Sequence, residues 1–153
     1  MPRRLPAVLL AALASTVAGC SASGPPELTV YADGKTMQLA PVQYCDVRVT
    51  ECEANPQAAG LMTVRPDRPM QISVPPEVAE SPWLVYVQSV DAQGRPQPVQ
   101  HEFFSPGEAY AYTARPAPGQ RLLTVEIQQA GAAFDDSGVI VARGVWSVQL
   151  RGR

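Results

Sequence analysis

Leu28-Thr29-Val30-Tyr31-Ala32-Asp33-Gly34-Lys35-Thr36-Met37-Gln38-Leu39 reads as a β-hairpin, and the rest of the fold can be worked out from it. Asp33-Gly34 is the dipeptide of a type I′ turn, whose two central residues need positive φ. Glycine adopts that conformation without strain and aspartate tolerates it. With these two at the turn, Ala32 faces Lys35, Tyr31 faces Thr36, Val30 faces Met37 and Leu28 faces Leu39, so apolar meets apolar on one face. A one-residue slip would send Met37 and Leu39 to solvent, so the alternation selects this register.

The same two-residue period recurs further along. Met70, Ile72 and Val74 alternate with Gln71 and Ser73, and Leu123, Val125 and Ile127 alternate with Thr124 and Glu126. Residues 83–90 are apolar on both faces, as in a central strand. Residues 139–141 and the series Trp146, Val148, Leu150 flank Arg143-Gly144, where glycine suits a bulge. Residues 75–80 have room for one turn of helix, opened by proline. No stretch keeps a 3.6-residue apolar period long enough for a longer helix. Eight or nine strands at this spacing predict an all-β chain, an immunoglobulin-like or fibronectin-III-like β-sandwich with very little helix. Its expected core is Leu28, Val30, Met37, Leu39, Ile72, Val85, Val125, Ile127 and Val148. Phe104-Ser-Pro-Gly-Glu-Ala-Tyr110 is similar to a fibronectin type III corner, in which a buried tyrosine bonds the backbone.

Upstream of the hairpin the chain has the layout of an export signal. Arg3 and Arg4 precede an apolar stretch at residues 5–17, too short to cross a membrane, where about 20 apolar residues are needed. Val17-Ala18-Gly19-Cys20 then resembles the lipobox of bacterial lipoproteins. In that chemistry the cysteine thiol takes a diacylglyceryl group as a thioether, and the bond before it is cut. Two acyl chains hold a protein stably to a bilayer where one does so only marginally. The expected organisation is a lipoprotein signal peptide over residues 1–19, a lipidated N-terminus and short tether over 20–26, and one β-sandwich domain over 27–153. The expected location is the extracytoplasmic face of the cell membrane.

Removing the first 19 of 153 residues leaves 134, the size of a single domain able to bury a core without a metal. That part carries 10 Lys+Arg against 14 Asp+Glu, a net charge of −4. Its arginines are scattered along the chain and form no basic run, which gives no footprint for nucleic acid. With Cys20 assigned to lipid, Cys45 and Cys52 remain as an even pair in an oxidising compartment, expected to form a structural disulfide. A single histidine, His101, leaves too few ligands for zinc beside them. No G-x-S-x-G elbow accompanies His101, so no nucleophilic site is expected. Asp135-Asp136-Ser137-Gly138 and the group Asp46, Glu51, Glu53 lack the spaced acidic positions of a calcium loop. Neither cofactor nor metal is therefore expected. Trp83 and Trp146 lie in β-type runs and belong in the core. Tyr110 and Tyr112 share one parity, which fits either two core residues or an exposed aromatic patch.

Tyr31-Ala-Asp-Gly34, Tyr44-Cys45-Asp46 with Cys52, Ile72-Ser-Val-Pro75 and Pro82-Trp83 resemble the pattern of a family of actinobacterial lipoproteins, domain of unknown function 2771. The resemblance covers residues 27–90 well and the remainder loosely. It implies an envelope lipoprotein of mycolate-type bacteria and brings no catalytic residues. The functional expectation is a non-enzymatic binding or adaptor module that meets an envelope protein or a cell-wall component. The alternative is a carrier or sensor of a small apolar or lipidic ligand held between the two sheets. An apolar cavity open at the membrane-proximal end would favour the carrier, and a filled core the adaptor.

Overall fold

The computed structural model describes residues 24–153, so Cys20 and the signal segment lie outside the described residues. Strands β1 (Leu28–Ala32) and β2 (Lys35–Leu39) pair as the turn requires, with Leu28 opposite Leu39 and Val30 opposite Met37. Asp33 and Gly34 hold φ of 49° and 77°, the positive values of a type I′ turn. Arg65 then locks the turn, its side chain and its backbone N–H both donating to the Asp33 carboxylate. The guanidinium holds that carboxyl down at about 2.

β1 pairs on its other side with β6 (Met70–Ser73), and β6 with β9 (Ala111–Ala114), giving a four-stranded sheet in the order β2-β1-β6-β9. The facing sheet is built on β10 (Gln120–Phe134) and β11 (Ile140–Gly152), a long antiparallel pair. β7 (Trp83–Asp91) and then β8 (Gln100–Phe104) extend it beyond β10. On the other flank β11 meets two elements in succession. β3 (Gln43–Cys45), which carries β4 (Cys52–Ala54), pairs at Gly144 and Val145, and β5 (Gly60–Val64) runs parallel from Val148 onward. The result is the all-β sandwich that the strand spacing predicts. It has eleven strands among the described residues where eight or nine were expected, because three-residue strands such as β3 and β4 are too short to show an alternation.

The core lies between the sheets. Leu28, Val30, Leu39, Ile72, Val85, Val125, Ile127 and Val148 are buried as expected, whereas Met37, on the edge strand β2, is only half-buried against them. Trp83 stacks on Phe104 with ring centroids 4.2 Å apart, and Trp146 meets Tyr44 edge-on at 6.1 Å. Both tryptophans are fully buried; truncating such a side chain to alanine costs roughly 3–5 kcal/mol. Gly144 makes room for one of them, since a Cβ there would lie 2.5 Å from the Trp146 ring. The bulge expected at Arg143-Gly144 is present: Gln129 pairs with Gly144 but Ala130 with Ala142, which leaves Arg143 as the extra residue. The single helical turn α1 (Pro76–Ala79) is tied to the sandwich by buried Gln129, whose Nε2 donates to the Glu77 carbonyl at 2.8 Å.

The corner at residues 104–110 departs from the fibronectin comparison. Ser105 and Glu108 close a turn on each other, and the Gly107 N–H donates to the Ala79 carbonyl. Tyr110 is nevertheless exposed, so no buried tyrosine forms there. Two positions on, Tyr112 packs its ring against Phe104, and desolvation raises its pKa. The two tyrosines separate because Tyr110 precedes β9 and Tyr112 lies within it.

Cys45 and Cys52 are joined, and they are directly opposed residues of β3 and β4. Their Cα atoms are 4.0 Å apart, closer than the ~5.5 Å commonest for disulfides. The adjacent Asp46 N–H to Glu51 O bond leaves the cysteines at a non-hydrogen-bonded site, where strands approach most closely. Asp46 organises the enclosed loop. Its carboxylate accepts the backbone N–H of Thr50 at 2.7 Å, of Glu51 at 2.9 Å and of Arg48 at 3.3 Å. These donors, Glu51 first, hold its carboxyl at about 2. The loop docks on the β10–β11 hairpin: Ala132 N–H donates to the Val47 carbonyl at 2.9 Å. Val49, at a φ of 58° that β-branched residues rarely adopt, packs against Gly131, where a Cβ would come within 2.5 Å of its Cγ2.

Two outcomes follow for this loop. The Cys45→Ala/Cys52→Ala double variant should lose roughly 2–3 kcal/mol of unfolding free energy, the chain-entropy value for so short a loop, measured by urea denaturation. The folded-state pKa of Asp46 lies below its unfolded value, so its stabilising effect is present above about pH 4 and is lost as pH falls through about 2. Carboxyl NMR titration of Asp46 should give a midpoint near 2, with faster amide exchange at Thr50 and Glu51 along the same curve.

Candidate functional site

Strand polarity gives the sandwich two chemically different ends. β1 begins beside Trp146, whose indole N–H donates to the Pro26 carbonyl at 3.0 Å. The near end, where the chain enters, therefore also holds the β10–β11 hairpin tip, the disulfide loop, α1 and the turn at residues 105–109. The far end holds the Asp33-Gly34 turn, the start of β10 and the end of β11.

The fold sorts charge between these ends in a way the linear sequence does not display. Of the ten Lys and Arg residues in 24–153, only Arg48 and Arg143 are near the chain entry. The other eight, Lys35, Arg65, Arg68, Arg95, Arg115, Arg121, Arg151 and Arg153, are at the far end. The arginines are scattered along the sequence; strands that run up and down the sandwich bring their ends together. Asp33 and Asp91 are spent on Arg65 and Arg95, and backbone and side-chain donors of Arg95 hold the Asp91 carboxyl down. Arg121, Arg151 and Arg153 have no ion-pair partner among the described residues, and they line one open concavity of about 460 Å³ with Pro66, Leu123 and Leu150.

The near end is apolar and acidic. Six of the nine exposed large hydrophobic residues are there, namely Val47, Phe103, Tyr110, Phe134, Val139 and Ile140. On the outer face of the larger sheet, Leu84, Tyr86, Phe103, Gln128 and Ala130 form with Val139, Ile140 and Ala142 a groove of about 280 Å³. The double apolar face of residues 83–90 is its sequence signal. β7 is an interior strand between β8 and β10, yet only its inner face is covered by the second sheet. The inter-sheet space expected to hold a ligand in the carrier reading is instead occupied by Trp83, Trp146, Met70, Ile72 and Ile127.

The remaining candidate residues have local roles. His101 is exposed on β8, its ring 6.1 Å from that of Tyr86. Asp135 caps the hairpin tip: its carboxylate accepts from the Ser137 hydroxyl and from the backbone N–H groups of Ser137 and Val139, and its pKa is lowered, mainly by that hydroxyl. Among the described residues no three His, Cys, Asp or Glu side chains converge as ligands for a metal ion, and no helix is long and apolar enough to cross a membrane.

Comparison with known proteins agrees over nearly the whole chain. It is 31% identical to an uncharacterized protein of Mycobacterium bovis over 94% of its own length and 93% of the relative's. Uncharacterized proteins from two strains of Mycobacterium tuberculosis match with the same identity and coverage. No solved structure matches. The model of one family, described as a protein of unknown function (DUF2771), matches residues 22–151, and the chain belongs to that family.

Proposed function

We propose that this protein is a lipid-anchored envelope lipoprotein that works by binding rather than by turnover, and that its arginine-rich far end captures an anionic envelope partner. One observation carries the reading: Arg121, Arg151 and Arg153 share one concavity and, among the described residues, form no ion pair with a carboxylate. Guanidinium groups present planar forks of N–H donors that match carboxylate and phosphate bidentately. Such groups are carried by cell-wall polymers and by acidic surfaces of envelope proteins. The filled core supports an adaptor over a carrier, because the sandwich offers its surface and not its interior. Export past the cytoplasm, read from residues 1–19 and Cys20, takes nucleic acid off the list of partners.

The anchor and the partner are tested separately. Cys20→Ser should abolish incorporation of labelled fatty acid and release the protein from membranes or leave it unprocessed; a wild-type chain that never takes up fatty acid would refute the anchor. For the far end, crosslinking and pull-down from native envelopes should recover a partner whose yield falls as salt rises. Arg121→Gln/Arg151→Gln/Arg153→Gln should reduce that yield at least tenfold, in proportion to the loss of three charge-assisted contacts, with unchanged anchoring. Full recovery by the triple variant would place the partner elsewhere.

A further inference from the structure

We infer that the near end of the sandwich rests on the bilayer, with the tip of the β10–β11 hairpin inserted at the interface between headgroups and acyl chains. The inference builds on the lipoprotein reading and goes beyond it, since a lipid anchor alone leaves the domain free to point in any direction.

The geometry is set by two lengths. The Trp146 hydrogen bond fixes Pro26 level with the lower part of β11. From there, six residues back toward Cys20 reach at most ~20 Å even when fully extended. From the same level the hairpin runs on for six more residues, from Trp146 to Ile140 opposite Phe134, which at about 3.3 Å per residue is also ~20 Å. A lipid on Cys20 therefore brings the tip to the membrane surface.

What the tip exposes fits that position. Phe134, Val139 and Ile140 are 67%, 60% and 46% exposed, and Val47 beside them 56%. These are aromatic and branched apolar groups of the type that bury in the interfacial region. The tip is braced for contact, because the disulfide loop bonds to Ala132 and packs on Gly131. Charge identifies the lipid component that is met. The tip carries Asp135 and Asp136, so the contact gains from burial of apolar surface and not from attraction to anionic headgroups. The groove of Leu84 and Phe103 continues the apolar surface upward from the tip.

The test uses mature lipidated protein, purified from membranes and reconstituted into phosphatidylcholine vesicles whose acyl chains carry bromine quenchers. An environment-sensitive fluorophore is placed at the hairpin turn through Ser137→Cys, or at a far-end turn through Gln93→Cys, with the native disulfide intact. The expected result is a blue shift and quenching at position 137 and neither at 93. Phe134→Asp/Val139→Asp should abolish the quenching while leaving Tm and vesicle retention unchanged, since both side chains are exposed; Phe134→Ser should weaken it. Protein that is retained on the vesicles with an unquenched label at 137 would overturn the inference alone. Energy transfer between labels on neighbouring copies in place of quenching would overturn it as well, and would assign the tip to a second copy of the chain. Absence of lipid on Cys20 by mass spectrometry would instead overturn the lipoprotein reading, and this inference with it.

Discussion

The hydrogen bond from the Trp146 indole to the Pro26 carbonyl is the constraint on which the arrangement of this molecule depends. It gives the N–H of a fully buried indole an acceptor, which the equally buried Trp83 indole lacks. It is possible because Gly144 has no Cβ to block the ring. One contact thereby joins the segment that leads into β1 to the β10–β11 pair. It fixes the end of the sandwich at which residues 24–27 enter, and with it the end from which the proposed anchor would act.

That ladder also explains the division of chemistry. β10 and β11 span the sandwich from end to end, and β7, β3 and β5 are registered against them. Toward the turn of this hairpin the ladder is interrupted by the bulge at Arg143 and by an irregularity between Ala130 and Phe134. The disulfide loop packs on Gly131 and bonds to Ala132 in that stretch. The bridge thus has a second effect beyond restricting the unfolded chain: it holds a buttress under the projecting hairpin.

Much of this was legible in the sequence. The Asp33-Gly34 turn, the register of the first hairpin, eight of nine core positions, the bulge at Gly144, the turn of helix after Pro75 and the pairing of Cys45 with Cys52 all follow from local chemistry. The misses have physical reasons. Tyr110 looked like a corner tyrosine because Pro-Gly turns are common and parity alone does not say whether a strand has begun. β3 and β4 were too short to register as a period. The arginine-rich end was invisible because residues such as Arg65, Arg121 and Arg151 are brought together by topology, which an inspection of adjacent residues does not see. The groove was signalled by the two apolar faces of β7, but the same pattern describes any interior strand covered on both sides.

The proposed orientation puts the apolar end of the sandwich toward the bilayer and the basic end away from it. Energy transfer from a donor at Gln93 to acceptors in the headgroup layer, on the lipidated protein in vesicles, measures it most directly. A sandwich standing on its near end places that donor ~40 Å above the surface, the length of a strand the size of β11. A donor found within ~15 Å of the headgroups would mean that the domain lies with its arginines on the membrane, well inside the span of β11, and would contradict the account.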